Sequence, residues 1–411
     1  MTAPALGAAA PRDLAYYVTK LTLAFVDHAG AGRPVADCLV EIETAFPATM
    51  PLAPLPPMRL PRHVLFRIAT VALAVVAPAL SSSNALGAEP APTPPPAATD
   101  ADKAAVARLV QLGNRGIRAH DPSTIVKCGD EYWTFITGRG IPSWHSKDLV
   151  NWERGPAVWA AEPAWVPDVV PRNRGNQDFW APDIMRLDDR YLLYYSVSVF
   201  GKNTSAIALA TNRTLDPADP AFRWRDEGVV VRTVATDKFN AIDPAVTRDA
   251  DGRLWLVFGS YWSGIKLIEL DPATGKRLAP DSPMHALAHK QQIEAAFIYR
   301  HGAHYYLFVN WGNCCRGRDS TYNIRVGRAD KITGPYLDRD GKNLLDGGGT
   351  LVLGKDGEFI GPGHAGIFTD AGREWFSCHF YNGTTPRGTP MLAIRPLTWD
   401  ATGWPFVGTL E

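Results

Sequence analysis

Three carboxylates, Asp121, Asp243 and Glu294, stand at matching places in a chain that repeats itself, together with Trp180 and His364. Each of the five lies eleven residues before the first member of a hydrophobic pair: Tyr132-Trp133, Tyr191-Leu192, Leu254-Trp255, Tyr305-Tyr306 and Trp375-Phe376. Residues at one place in a repeat converge when the repeats surround an axis, so one polar pocket holding three acids, an indole and an imidazole is expected. Burying three carboxylates together is unfavourable, because desolvation and mutual repulsion both raise their pKa values. Glycoside hydrolysis has a use for such a cluster: one carboxyl protonates the leaving oxygen, and a second activates water or attacks carbon. A third can orient the acid and keep its pKa raised. The plainer alternative, that each aspartate caps a surface turn as Asp-Pro often does, accounts for single residues but not for the aligned set.

The elements that must place these residues follow from the same count. The five positions are 59, 63, 51 and 70 residues apart, a length that suits one four-stranded sheet with its loops. Segments such as AHDPSTIVKCGDEYWTFITG, FWAPDIMRLDDRYLLYYSVS and NAIDPAVTRDADGRLWLVFG alternate apolar runs with Gly/Asp turns, as a hairpin meander does. Two repeats carry Asp-Pro, where proline removes a backbone donor at a strand edge or start. The predicted fold is all-β, a five-bladed β-propeller over residues 105–411.

Composition narrows the partners. With 42 basic and 42 acidic side chains the formal net charge is zero, so neither nucleic acid nor an anionic membrane is expected as a partner. The 13 Trp, 13 Tyr and 16 Phe suit twisted strands, and any exposed aromatic faces suit sugar rings. From Met58 the chain runs MRLPRHVLFR, IATVALAVVAPAL and SSSNALGAEP, the basic, apolar and small-residue parts of a secretory signal. Residues 58–88 are therefore expected to be cleaved near Gly87 or Ala88, and residues 1–57 to be an upstream extension absent from the mature protein. Residues 89–104 form a Pro/Ala-rich linker. The product is expected to be secreted or periplasmic, with no membrane attachment after cleavage, and monomeric. Export would leave Cys128, Cys314, Cys315 and Cys378, either as thiols or with a disulfide between the adjacent pair Cys314 and Cys315. No CxxC spacing suggests zinc.

Read together, AHDPS, SKDLVNW, FWAPDI, NAIDPAV, GSYWSGI, CCRGRDSTYNIRVGRADKITGPY and GPGHAGIF, in this order over residues 115–405, resemble the endo-α-1,5-L-arabinanases of glycoside hydrolase family 43. The resemblance implies Asp121 as general base, Glu294 as general acid and Asp243 as the residue that orients the acid and raises its pKa. It implies that Trp180 packs against the sugar, that Ser260 and Trp262 border the cleft, and that His364 helps hold a calcium or similar ion at the axis, largely through water. No organic cofactor is expected. One departure is Ala296, where many relatives have proline after Glu-Ala. His120 contacts substrate or caps a strand, and Asn240 lines the pocket or closes a turn. His364 could otherwise be a satisfied core histidine. The implied reaction is hydrolysis of arabinan with inversion, which requires about 6.5–9.5 Å between the two catalytic carboxyl groups. An exo-acting α-L-arabinofuranosidase or β-xylosidase of the same fold is the nearest rival, and a non-catalytic sugar-binding propeller the distant one.

Overall fold

The computed structural model describes residues 117–171, 175 and 178–408, together with the backbone of two strands nearer the N-terminus. Those strands, β1 (Val18–Phe25) and β2 (Cys38–Thr44), pair antiparallel within a unit, Met1–Ala91, distinct from the unit Pro92–Glu411. The expected signal segment, the linker and the expected start of the propeller at residue 105 lie outside the described residues.

From Ile117 onward the chain forms five antiparallel sheets. The first holds β3 (Val126–Cys128), β4 (Glu131–Phe135), β6 (Ser143–Ser146) and β7 (Trp152–Gly155). The short β5 (Gly138–Arg139) crosses to the second, where it borders β8 (Asp178–Leu187), β9 (Arg190–Val197), β10 (Ser205–Asn212) and β11 (Arg225–Thr233). The third runs β12 (Ala245–Arg248), β13 (Leu254–Phe258), β14 (Ile265–Leu270) and β15 (Met284–Ala288). The fourth runs β16 (Ile293–His301), β17 (His304–Trp311), β18 (Asn323–Ala329) and β19 (Thr350–Leu353). The fifth runs β20 (Phe359–Asp370), β21 (Arg373–Asn382), β22 (Thr389–Trp399) and β23 (Pro405–Val407). This is the expected five-bladed β-propeller.

Every hydrophobic pair picked out in the sequence lies in the second strand of its blade. These strands are apolar on both faces because a neighbouring blade covers each side; β9 and β13 are buried almost throughout. Apolar clusters join the blades: Phe135 with Phe179 and Tyr195, Tyr194 with Leu254 and Phe258, Phe308 with Phe376. The ring closes where the segment entering the first blade adds to the free edge of β22. There the Ala119 N–H donates to the Pro390 carbonyl at 3.1 Å and the Leu392 N–H to the Ile117 carbonyl at 3.0 Å. Ile117, Tyr132, Phe368 and Trp375 seal that seam.

The innermost strands carry a feature that the count of eleven located only to within one residue. Within or just before the innermost strand of each blade stands a non-glycine residue with left-handed φ: Asp121 (48°), Ala181 (48°), Asp243 (57°), Ala295 (51°) and His364 (63°). Such residues are uncommon and need support from their surroundings. The cross-strand register aligns Trp180 opposite Ser196 with Glu294 opposite Asn310 and Gly363 opposite His379. Trp180 and Glu294 thus sit one residue before the left-handed position, whereas Asp121, Asp243 and His364 occupy it. A hydrophobic pair reports burial rather than register, so counting from it slips where a strand or turn is one residue longer.

Candidate active site

Each left-handed residue turns its backbone N–H toward the preceding blade, and a side chain there accepts it. Asp121 donates to His379 Nδ1 (3.2 Å), Ala181 to Thr137 Oγ1 (2.8 Å), Asp243 to Ser196 Oγ (3.0 Å), Ala295 to Asp243 Oδ2 (3.1 Å) and His364 to Asn310 Oδ1 (3.0 Å). A second support comes from Asp183, whose buried carboxylate accepts the Thr124 N–H from the first blade (3.0 Å) and the Val246 N–H from the third (2.9 Å). These bonds fix the backbone from which the acids project.

Asp121 sits among hydrogen-bond donors and imidazoles. Its Oδ2 accepts from Thr137 Oγ1 at 2.6 Å and lies 2.8 Å from His120 Nδ1; its Oδ1 lies 3.4 Å from His364 Nδ1 and 3.5 Å from His379 Nδ1. Burial alone would raise its pKa, but the His120 and His364 charges and the His120 hydrogen bond outweigh that and hold it far below the usual carboxylate range. Asp121 is an anion at any physiological pH.

Glu294 is in the opposite condition. Burial raises its pKa, the hydrogen bonds from Tyr322 Oη to Oε1 (2.6 Å) and Ser260 Oγ to Oε2 (2.7 Å) pull it down, and the Asp121 charge adds to the rise; the net is upward. Asp243 is pushed well up by burial, then by the charges of Glu294 and Asp121. Ionising both Asp243 and Glu294 beside an Asp121 anion is costly, so protons are retained on this pair. One carboxylate held ionised near another held protonated is the arrangement that acid–base work on a single bond requires.

Among the remaining predicted residues, His120 and His364 touch Asp121 and Ser260 touches Glu294. His120 Nε2 lies 2.9 Å from Tyr381 Oη, and burial, which would lower its pKa, is outweighed by the Asp121 charge, so the net shift is upward. Burial lowers the pKa of His364 against the pull of Asp121. Trp180 lies partly buried in β8, one residue before the left-handed Ala181. Trp262 is 40% exposed in the β13–β14 loop, two residues from Ser260. Asn240 is buried and its Oδ1 accepts from Ser205 Oγ of β10 at 2.7 Å, so its carbonyl ties the second blade to the third. Cys314 and Cys315 form a disulfide, and Cys128 and Cys378 are free thiols.

Four functional side chains were not singled out by sequence: Thr137, Tyr322, His379 and Tyr381. Counting five residues forward from the hydrophobic pairs, instead of eleven back, lands on Thr137, Ser196, Gly259 and Asn310, and one past His379. Tyr322 needs a glycine opposite it: a Cβ on Gly363 would come within 2.4 Å of the Tyr322 ring.

The family model described as glycosyl hydrolases family 43 matches residues 116–405. The chain is 41% identical over 313 residues to an extracellular exo-α-(1→5)-L-arabinofuranosidase of Cellvibrio japonicus, covering 73% of this chain and 89% of the relative. It is 40% identical over 294 residues to an extracellular endo-α-(1→5)-L-arabinanase of Bacillus subtilis, covering 70% and 86%. The solved structure of a Cellvibrio cellulosa α-L-arabinanase complexed with arabinohexaose superposes with a TM-score of 0.68 at 40% identity, over 72% of this chain and 96% of that one. With its whole propeller matched and its carboxylates arranged for acid–base chemistry, the chain belongs to glycosyl hydrolases family 43 and is a glycosidase.

Proposed function

We propose that this protein is an exported, endo-acting hydrolase of α-1,5-linked L-arabinofuranose chains that works with inversion. Asp121 is the general base that takes a proton from water. Glu294 is the general acid that protonates the departing glycosidic oxygen. Asp243 tunes that acid, because the two cannot both ionise beside the Asp121 anion, and its Oδ2 accepts the Ala295 N–H next to it. The observation that carries this reading is the opposed condition of Asp121 and Glu294 in one pocket. Trp180 and Trp262 offer apolar faces to the sugar rings, and His120 flanks the base. The relatives' names favour arabinan as substrate and export as destination. The 41% relative acts in the exo mode, which makes exo cleavage the specific second reading.

A calcium-class ion fits the axis only in hydrated form. His364 offers one imidazole nitrogen, whereas hard cations prefer oxygen, and of the two Asp121 oxygens Oδ2 is already bonded to Thr137 and His120, which leaves only Oδ1, 3.4 Å from His364 Nδ1. His364 would hold it with water completing the shell. When bound, it would supply positive charge beside Asp121.

Debranched arabinan separates the modes: a ladder of oligomers marks endo cleavage, arabinose alone marks exo cleavage, and no product removes arabinan as substrate. The roles separate on an arabinofuranoside with an acidic leaving group. Glu294→Ala should recover in part on it, since such a group departs without protonation, and Asp121→Ala should not. Rescue of Asp121→Ala instead would reverse the assignment.

A further inference from the structure

We propose that the Cys314–Cys315 disulfide is a positioning device for the base Asp121, acting through Tyr381 and His120; the proposal rests on the reading of Asp121 given above. The disulfide lies in the loop between β17 and β18, at the edge of the pocket, with Cys315 exposed and its Sγ 3.9 Å from His120 Nε2. The Cys315 N–H donates to Tyr381 Oη at 2.7 Å, Tyr381 Oη lies 2.9 Å from His120 Nε2, and His120 Nδ1 lies 2.8 Å from Asp121 Oδ2.

Two bonds in this chain have a fixed direction. An ionised carboxylate only accepts, so His120 Nδ1 carries a proton and donates it. The Cys315 N–H donates to the tyrosine oxygen. Tyr381 Oη and His120 Nε2 bond in either protonation state of the ring, the hydroxyl donating to a neutral ring and accepting from an imidazolium, so the imidazole that carries Asp121 is held from its far side in both.

That first N–H can do this only if the Cys315 peptide stays where it is. Cys315 has φ 65°, in the left-handed region that few side chains adopt. Bonding the sulfurs of adjacent residues closes a small ring through the peptide between them and removes its freedom to turn. The rest of the loop is laced by other bonds: Asn313 and Thr321 exchange hydrogen bonds, and the Arg316 N–H donates to Ser320 Oγ. Opening the disulfide therefore frees chiefly the peptide that feeds Tyr381. Without that donor, the Tyr381 hydroxyl is no longer fixed, His120 is held less firmly from its far side, and Asp121 loses its alignment toward the water.

The test treats the folded enzyme with a small dithiol, which becomes a cyclic disulfide as Cys314 and Cys315 take up two electrons and two protons; two new thiols confirm the reduction. On arabinan, kcat should fall about tenfold with KM within about twofold. An acidic leaving group should give no rescue, because the defect is at the base. Tyr381→Phe should reproduce the loss with the disulfide intact, and reduction of that variant should add little, as expected for two steps of one chain. The double variant Cys314→Ser/Cys315→Ser should behave like reduced enzyme and ignore the reductant. The proposal is overturned if reduction leaves kcat unchanged. It is also overturned if KM rises alone, which would make the disulfide a substrate wall, or if the effects of reduction and Tyr381→Phe multiply. Wild-type enzyme inactive on arabinan would instead remove the functional reading beneath it.

Discussion

The junction between the third and fourth blades is built differently from the other four. Elsewhere the left-handed residue's N–H is received by a side chain of the preceding blade's second strand or its end: His379, Thr137, Ser196 or Asn310. At the third blade the matching residue is Gly259. Its φ is 128°, and a Cβ there would lie 2.6 Å from the Gly264 carbonyl oxygen, so no side chain can stand in that place. The Ala295 N–H is taken by Asp243 instead. Four junctions use a side chain other than a catalytic carboxyl as the acceptor, and the fifth puts acceptor and proposed chemistry on one carboxyl next to the proposed acid. A buried carboxyl that also secures a strained backbone cannot move away from Glu294, which is what a residue meant to raise that neighbour's pKa requires.

The largest effect should come from separating the two duties of Asp243. Asp243→Ala removes the titrating carboxyl and the acceptor together, so activity should fall about 10²–10³-fold and unfolding free energy by about 1–3 kcal/mol. Asp243→Asn keeps an oxygen for the Ala295 N–H and loses only the titrating carboxyl. It should unfold close to wild type, while the basic limb of its pH–rate profile moves down, because Glu294 no longer shares the pocket with a second acid whose ionisation opposes its own. Kinetics and chemical denaturation on the pair decide the matter. Equal stability of the two variants would mean that Asp243 secures nothing.

Legibility in the sequence divides along the same line. The blades were readable because pairs such as Tyr305-Tyr306 mark strands covered on both faces, and burial leaves a local signature. The acids were readable because Asp-Pro and Glu-Ala-Ala recur in phase with those strands. What holds the acids was not readable, since each contact joins different blades: Asp121 to His379 spans 258 residues, His120 to Tyr381 spans 261 and Asp183 to Val246 spans 63. Nothing in the FWAPDI segment singles out Asp183, and only the assembled ring shows it bonded to two other blades. The consequence of Gly259 for Asp243 exists only in three dimensions.

Asp183 offers the next largest effect, on stability rather than rate. Burial pushes its pKa up to about 6 against the pull of the Val246 and Thr124 N–H groups. A folded-state pKa above the unfolded value of 3.8 means that protonation favours the fold. The contribution is complete below pH 3.8 and is lost as pH rises through about 6, for a total of ~3 kcal/mol at about 1.4 kcal/mol per unit. Asp183→Asn cannot titrate, and its amide nitrogen must face one of the two N–H donors, so it should be less stable throughout. The stability gap between wild type and Asp183→Asn, from denaturant unfolding between pH 4 and 7, should narrow as pH rises. A gap that widens would show Asp183 to be stabilised as an anion.

The smallest effects test the ordinary junctions. Thr137 accepts the Ala181 N–H and donates to Asp121 Oδ2, whereas Ser196 accepts the Asp243 N–H without a bond to a catalytic carboxylate. Thr137→Val and Ser196→Ala each leave one buried N–H unpaired and should each lower unfolding free energy by about 1–3 kcal/mol. Their kinetics should differ. Thr137→Val also removes a donor to Asp121, so kcat should fall about tenfold with KM little changed. Ser196→Ala leaves the Asp243 carboxylate bonded to Ala295 and should stay within about threefold of wild type. Measured side by side, a larger loss in Ser196→Ala than in Thr137→Val would mean that backbone support at the junctions, and not the direct bond to the base, limits the reaction, and the separation of duties drawn between the junctions would fail.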